Sequence, residues 1–167
     1  MTTLLLDETL EEATAEEIEI GSFNHGYVQM RIGSLFEQTG KYTPISELTL
    51  DVRNIDLSQF DLRTKTEIKP DISLYPKRGL SRPQDILRMD EMPLLAVEIV
   101  SPKQGLYDLI EKTKVYFELG VQSCWLVEPT LSTITVYGSI DQQETFTKGE
   151  IRDPALVVTL TIEDIFA

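Results

Sequence analysis

Two short apolar runs with an amphipathic helical pattern between them limit what this chain can fold into more than anything else it contains. "LLAVEIV" (94–100) and "SCWLV" (123–127) have the length and composition of strands buried on both faces. Between them, "LYDLIEKTKVYFELG" places Leu106, Leu109, Ile110, Thr113, Tyr116, Phe117 and Leu119 along one helical stripe, and Gly120 ends it. Strand, crossing helix and strand in that order predict a parallel pair, and with it an α/β fold holding one βαβ crossover.

The first of these runs contains an acid. Glu98 sits among Leu95, Ala96, Val97 and Ile99, where an unpaired ionised carboxylate would cost several kcal/mol, as an order of magnitude. It must therefore be exposed at an edge, paired with a base, protonated or bound to a cation.

The rest of the pattern fills in around this unit. Phe23, Tyr27, Met30, Ile32, Leu35 and Phe36 predict an amphipathic helix of about four turns that stops near Gly40. "SELTLDVRNIDLS" and "FDLRTKTEIKPDISLYP" alternate like consecutive strands. "STITVYGS" and "QETFTKGEIR" read as an antiparallel pair, and "LTIEDIFA" as a short closing helix. A chain of 167 residues suits one domain over residues 21–167, preceded by an acidic arm or short helix over residues 1–20.

Charge restricts the function classes. The net charge is −13, and the arm's seven acids, unrelieved by any base, leave the remainder at −6. This argues against a broad basic surface for non-specific nucleic-acid binding and counts against DNA binding without excluding it. Cys124 is the only cysteine, so neither a disulfide framework nor a cysteine metal cluster is available, and its setting beside Trp125 is that of a small core residue. No apolar stretch is long enough to span a bilayer, and the acidic start lacks the basic region of a signal peptide. A cytoplasmic location without membrane contact is the expectation.

Asp71, at the head of "DISLYP", is the second acid that matters. If its strand pairs with that of Glu98, the two carboxylates converge, and oxygen ligands of that kind suit Mg²⁺ or Mn²⁺. On the following helix Lys112 and Lys114 point to different faces. Lys112 is on the flank that can look back at the sheet, where its charge could stabilise a phosphate; Lys114 is the more solvated. Chance placement and ordinary surface ion pairs remain the alternatives for all three. His25, the single histidine, lies near the start of the first helix. "YPKRGLSRP" supplies Lys77, Arg78 and Arg82 as a candidate phosphate-facing loop beside Asp71, equally readable as a solvated loop.

"KPDISLYP", "LLAVEIVSP", "YDLIEKTKVYFELGV" and "CWLVEP" together resemble the PD-(D/E)XK nuclease superfamily, in the restriction-endonuclease-like branch abundant in cyanobacteria. The similarity covers about residues 65–140, and "LTIEDIFA" also resembles that branch. The resemblance implies a restriction-endonuclease-like core, a mixed sheet flanked by helices. It also implies Asp71 and Glu98 as metal ligands and Mg²⁺ (or Mn²⁺)-dependent hydrolysis of DNA phosphodiesters. The general pattern has a lysine two residues after the second acid, where this chain has Val100. Lys112, four residues before Tyr116, matches the position at which the branch carries its lysine instead. His25 matches the branch's histidine at a helix start and is a candidate auxiliary residue, whereas the acidic "E-x-x-x-G" hairpin is altered. Two functions are therefore expected in competition: a DNA endonuclease, and a nuclease-like fold that no longer cuts and serves in binding or assembly. A homodimer would suit cleavage of both strands of a duplex.

Overall fold

The computed structural model describes residues 21–62, 67–102 and 104–167; the acidic arm over residues 1–20 lies outside them. Helix α1, Phe23–Gln38, begins where the Ser22 hydroxyl accepts from the His25 N–H at 3.1 Å, a side-chain cap for one of the helix's unpaired donors. Its buried residues Val28, Ile32 and Phe36 are spaced four apart and face the sheet. Strand β1 (Tyr42–Ser46) follows, then a 3₁₀ turn at Leu57–Gln59, β2 (Ile72–Pro76) and β3 (Leu95–Ile99). Helix α2 (Leu106–Leu119) leads to β4 (Ser123–Glu128), β5 (Thr133–Ser139), β6 (Gln142–Phe146) and α3 (Ile162–Phe166).

The six strands form one sheet in sequence order, and only β3 and β4 run parallel. That parallel pair is the βαβ unit expected from sequence, with Gly120 closing α2 at φ +100°, a left-handed position that other residues adopt only under strain. β3 lies third among the six, and all five of its residues are buried. Alternation splits its side chains between two cores. Leu95, Val97 and Ile99 join α1, Trp125 and α3 on one face. Ala96 faces Leu109, Tyr116, Cys124 and Tyr75 on the α2 face, and Glu98, two residues further, points to that same side.

Two stretches depart from the expectation: among the described residues of "FDLRTKTEIKPDISLYP" the strand is confined to Ile72–Pro76, and the alternation before it differs further. The strand-like alternation over residues 46–58 does not become a strand. β1 instead lies earlier and includes Pro44, which is tolerated because β1 is an edge strand paired only with β2. Glu47 takes φ 52° and breaks the extension. The alternating Leu48, Leu50, Val52, Ile55 and Leu57 pack as irregular cover over the α2-side core, so their periodicity reflects burial without a ladder. Glu111 of α2, 5% exposed, helps to hold this cover by accepting from the Asp61 N–H.

A polar staple fixes the other face. Asp153 accepts from both the Trp125 indole N–H (2.7 Å) and the Ser123 hydroxyl, and from the Ala155 N–H through its second oxygen. Trp125 also packs against Phe36, with ring centroids 5.4 Å apart. Asp153→Ala would leave the buried Trp125 indole N–H unpaired and the Ser123 hydroxyl with only the Tyr137 carbonyl at 3.4 Å, a loss of about 2 kcal/mol. Urea unfolding of the variant should show its midpoint lowered accordingly with an unchanged slope. No helix among the described residues is long and apolar enough to cross a membrane.

Candidate functional site

Register brings the two acids together. β2 and β3 are antiparallel with Ile72 opposite Val97, so the next pair along the ladder is Asp71 opposite Glu98, and cross-strand partners have Cβ atoms about 5 Å apart. Both lie on the face toward α2, at the end of β2 where α1 begins. Asp71 Oδ2 accepts from the Ile99 N–H at 2.7 Å and lies 3.1 Å from His25 Nε2. Gln29, one turn further along α1, donates to the Asp71 backbone carbonyl at 2.8 Å. Asp71 is thus held at its side chain and its backbone by residues four apart on one helix.

Glu98 is 4% exposed. Its Oε1 accepts from the Tyr116 hydroxyl of α2. Burial, followed by the Asp71 charge, pushes the Glu98 carboxyl up to about 8, against the opposing influence of the Lys112 charge and the Tyr116 hydroxyl. The buried Glu98 carboxyl is thereby held toward its protonated form. For Tyr116, burial and then the Glu98 charge raise the phenol well above its ordinary value, which keeps it a donor. His25 is raised in turn, chiefly by its hydrogen bond to Asp71, with burial opposing.

The lysines separate as their spacing required. Lys114 pairs with Glu111 at 2.6 Å, half out in solvent. Lys112 lies 4.0 Å from Asp108, with its side chain 26% exposed, and its charge reaches Glu98. Val100, on the same face of the chain as Glu98, lines a cleft of about 490 Å³ together with Asn24, Ser101, Gln104, Glu128 and Leu131. The cleft opens where α1 starts and β3 and β4 end, and neither Asp71 nor Glu98 lines it. Cys124 is a buried core residue, its thiol pushed well up, mainly by burial.

The basic loop does not join this site. Lys77 and Arg78 follow Pro76, past the far end of β2 from Asp71, about 17 Å away along an extended strand. Arg78 is paired with Glu91 at 2.6 Å and lies over the Tyr75 ring, and Arg82 is farther along the same exposed loop. Adjacency in sequence misled here because a strand carries its two ends apart. Sequence reasoning also passed over Gln29 and the Tyr116 hydroxyl as partners of the two acids. Tyr116 could have been found from its place one helical turn after Lys112, while Gln29 depends on how α1 docks.

Among the described residues no group of three or more His, Cys, Asp and Glu forms a ready-made metal cage. Mg²⁺ does not require one, since it commonly binds through one or two carboxylates and keeps several waters. The donor set fits such an ion: hard oxygens only, with one oxygen of each acid fixed by protein donors and a buried excess of negative charge that a cation would neutralise.

The family model for Uma2, described as "Putative restriction endonuclease", matches residues 8–163. The chain belongs to the Uma2 family. In fold it is similar to a crystal structure of a "putative nuclease belonging to DUF820" from Anabaena variabilis. That likeness has a TM-score of 0.64 and 21% identity, and covers 88% of this chain and 82% of the other. No curated protein is similar to the chain. Membership in Uma2 and the shared mixed sheet place the chain in the restriction-endonuclease-like PD-(D/E)XK superfamily.

Proposed function

We propose that this Uma2 protein is a Mg²⁺ (or Mn²⁺)-dependent DNA endonuclease with Asp71 and Glu98 as metal ligands and Lys112 as the catalytic cation. The observation that carries the reading is the buried cross-strand pair, in which burial and the Asp71 charge outweigh the Lys112 charge and push the Glu98 carboxyl up to about 8. When bound, the divalent cation polarises the phosphodiester and lowers the pKa of a coordinated water. The chain's own groups do the rest. Asp71 is oriented by the Ile99 N–H, His25 and the Gln29 amide. Lys112 offers a positive charge where negative charge grows on the phosphate. His25 is an auxiliary group that shields Asp71 from other partners, and a homodimer would present two such sites to the two strands.

A second reading, a nuclease-like fold that binds without cutting, is favoured by Val100 standing where the general motif has its lysine. Calorimetry with Mn²⁺ separates the two. The unaltered protein should bind, Asp71→Ala and Glu98→Ala should not, and Lys112→Ala should still bind while losing cleavage of a mixed DNA substrate by about 1000-fold. Binding without any cleavage, equal in the unaltered protein and in Lys112→Ala, would favour the second reading. No binding by the unaltered protein at millimolar Mn²⁺ would sink the first.

A further inference from the structure

We propose that Tyr116 is a positioning residue for the metal site: its phenol holds Glu98 Oε1 and so fixes the direction in which that carboxyl is presented toward Asp71. The proposal rests on the metal-site reading above. Three observations carry it.

The first is the bond itself, from the Tyr116 hydroxyl to Glu98 Oε1, made between two side chains with 0% and 4% exposure. At that depth bulk water does not replace a lost donor. The second is the rigidity of the donor. Tyr116 lies in the last turn of α2, where its carbonyl accepts from the N–H groups of Gly120 and Val121, and its ring is packed in the core with Leu109, Cys124 and Ala96. A phenol anchored in this way has two side-chain torsions, both held by packing, so the hydroxyl position is set by the helix. The third is residue type. Phenylalanine would fill the same core space without a polar group to satisfy, and the one partner the hydroxyl finds is the carboxyl read as a ligand.

Tyr116 and Lys112 stand four apart on α2 and thus on one face, so a single helix orients the second acid and delivers the cation. Partners that orient a ligand in this way typically contribute 10–100-fold in metal affinity when removed.

Mn²⁺ binding followed by electron paramagnetic resonance on the full chain, with melting temperatures recorded alongside, tests this. Tyr116→Phe should melt within a few degrees of the unaltered protein and bind Mn²⁺ about 10–100-fold more weakly, with an altered signal from the bound ion. Tyr137→Phe, another largely buried tyrosine in the same core, should keep the native affinity. Equal affinity in Tyr116→Phe overturns the proposal and leaves the metal site standing, whereas no binding by the unaltered protein overturns both. If Tyr116→Phe does not fold, 3-fluorotyrosine placed at position 116 alone gives the second measurement. Its ¹⁹F resonance should move when Mg²⁺ binds, and an unmoved resonance in a protein that binds Mg²⁺ overturns the proposal.

Discussion

Glu98→Gln is expected to abolish metal-dependent cleavage, by at least about 1000-fold, and at the same time to make the metal-free protein more stable above pH 8. Both effects come from one charge. Glutamine keeps the size of the side chain and its ability to accept from Tyr116, but it cannot ionise, and a neutral amide is a poor ligand for a hard divalent ion. In the metal-free fold the acid is a burden. Its carboxyl is pushed from 4.5 to about 8 by burial and by Asp71, so the folded state holds a proton that the unfolded chain has released. Between those two values stability therefore falls as pH rises, by up to about 1.4 kcal/mol for each pH unit. Below about 4.5 the contribution is fully present, and above 8 it is gone. Urea unfolding in chelator at pH 5, 7 and 9 should show this decline in the unaltered protein and a shallower one in Glu98→Gln. Equal slopes in the two would mean that Glu98 ionises as easily folded as unfolded.

Metal affinity should run the other way. A cation requires Glu98 ionised, so below pH 8 each binding event must release its proton. His25, held toward its protonated form chiefly by the hydrogen bond to Asp71, adds to the same dependence. Apparent Mn²⁺ affinity is expected to rise at least about tenfold per unit from pH 6 to 8, about a hundredfold in all, and to level off above. Calorimetry in buffers of differing ionisation enthalpy counts the protons directly. At pH 7 at least one should be released per ion bound. A flat affinity profile with no proton release would place the ion elsewhere on the protein.

The two acids illustrate how the site could and could not be read in advance. Glu98 announced itself, because a carboxylate inside "LLAVEIV" violates the burial rule that the surrounding residues obey. Asp71 had no such signal: "KPDISLYP" reads as a strand start, and only a pairing assumption made it a partner. That assumption held because β2 and β3 are neighbours in register. The comparable assumption for Lys77, Arg78 and Arg82 failed, since the chain leaves Asp71 along the full length of β2 before reaching them.

Local periodicity is a property of the chain alone, so the sequence by itself determined the βαβ unit, the end of α2 at Gly120, the antiparallel β5–β6 pair and the short final helix. Which face of α2 meets the sheet also followed from spacing, and with it the different surroundings of Lys112 and Lys114. The tertiary structure alone decided where β1 begins, since Pro44 needed an edge that no local pattern reveals. It also decided that the alternating residues after Glu47 form cover without a ladder. Most of all it decided the partners of the carboxyls. The Ile99 N–H, His25, Gln29 and Tyr116 come from β3, α1 and α2, and contacts between separate elements depend on how those elements dock, which side-chain spacing within any one of them does not encode.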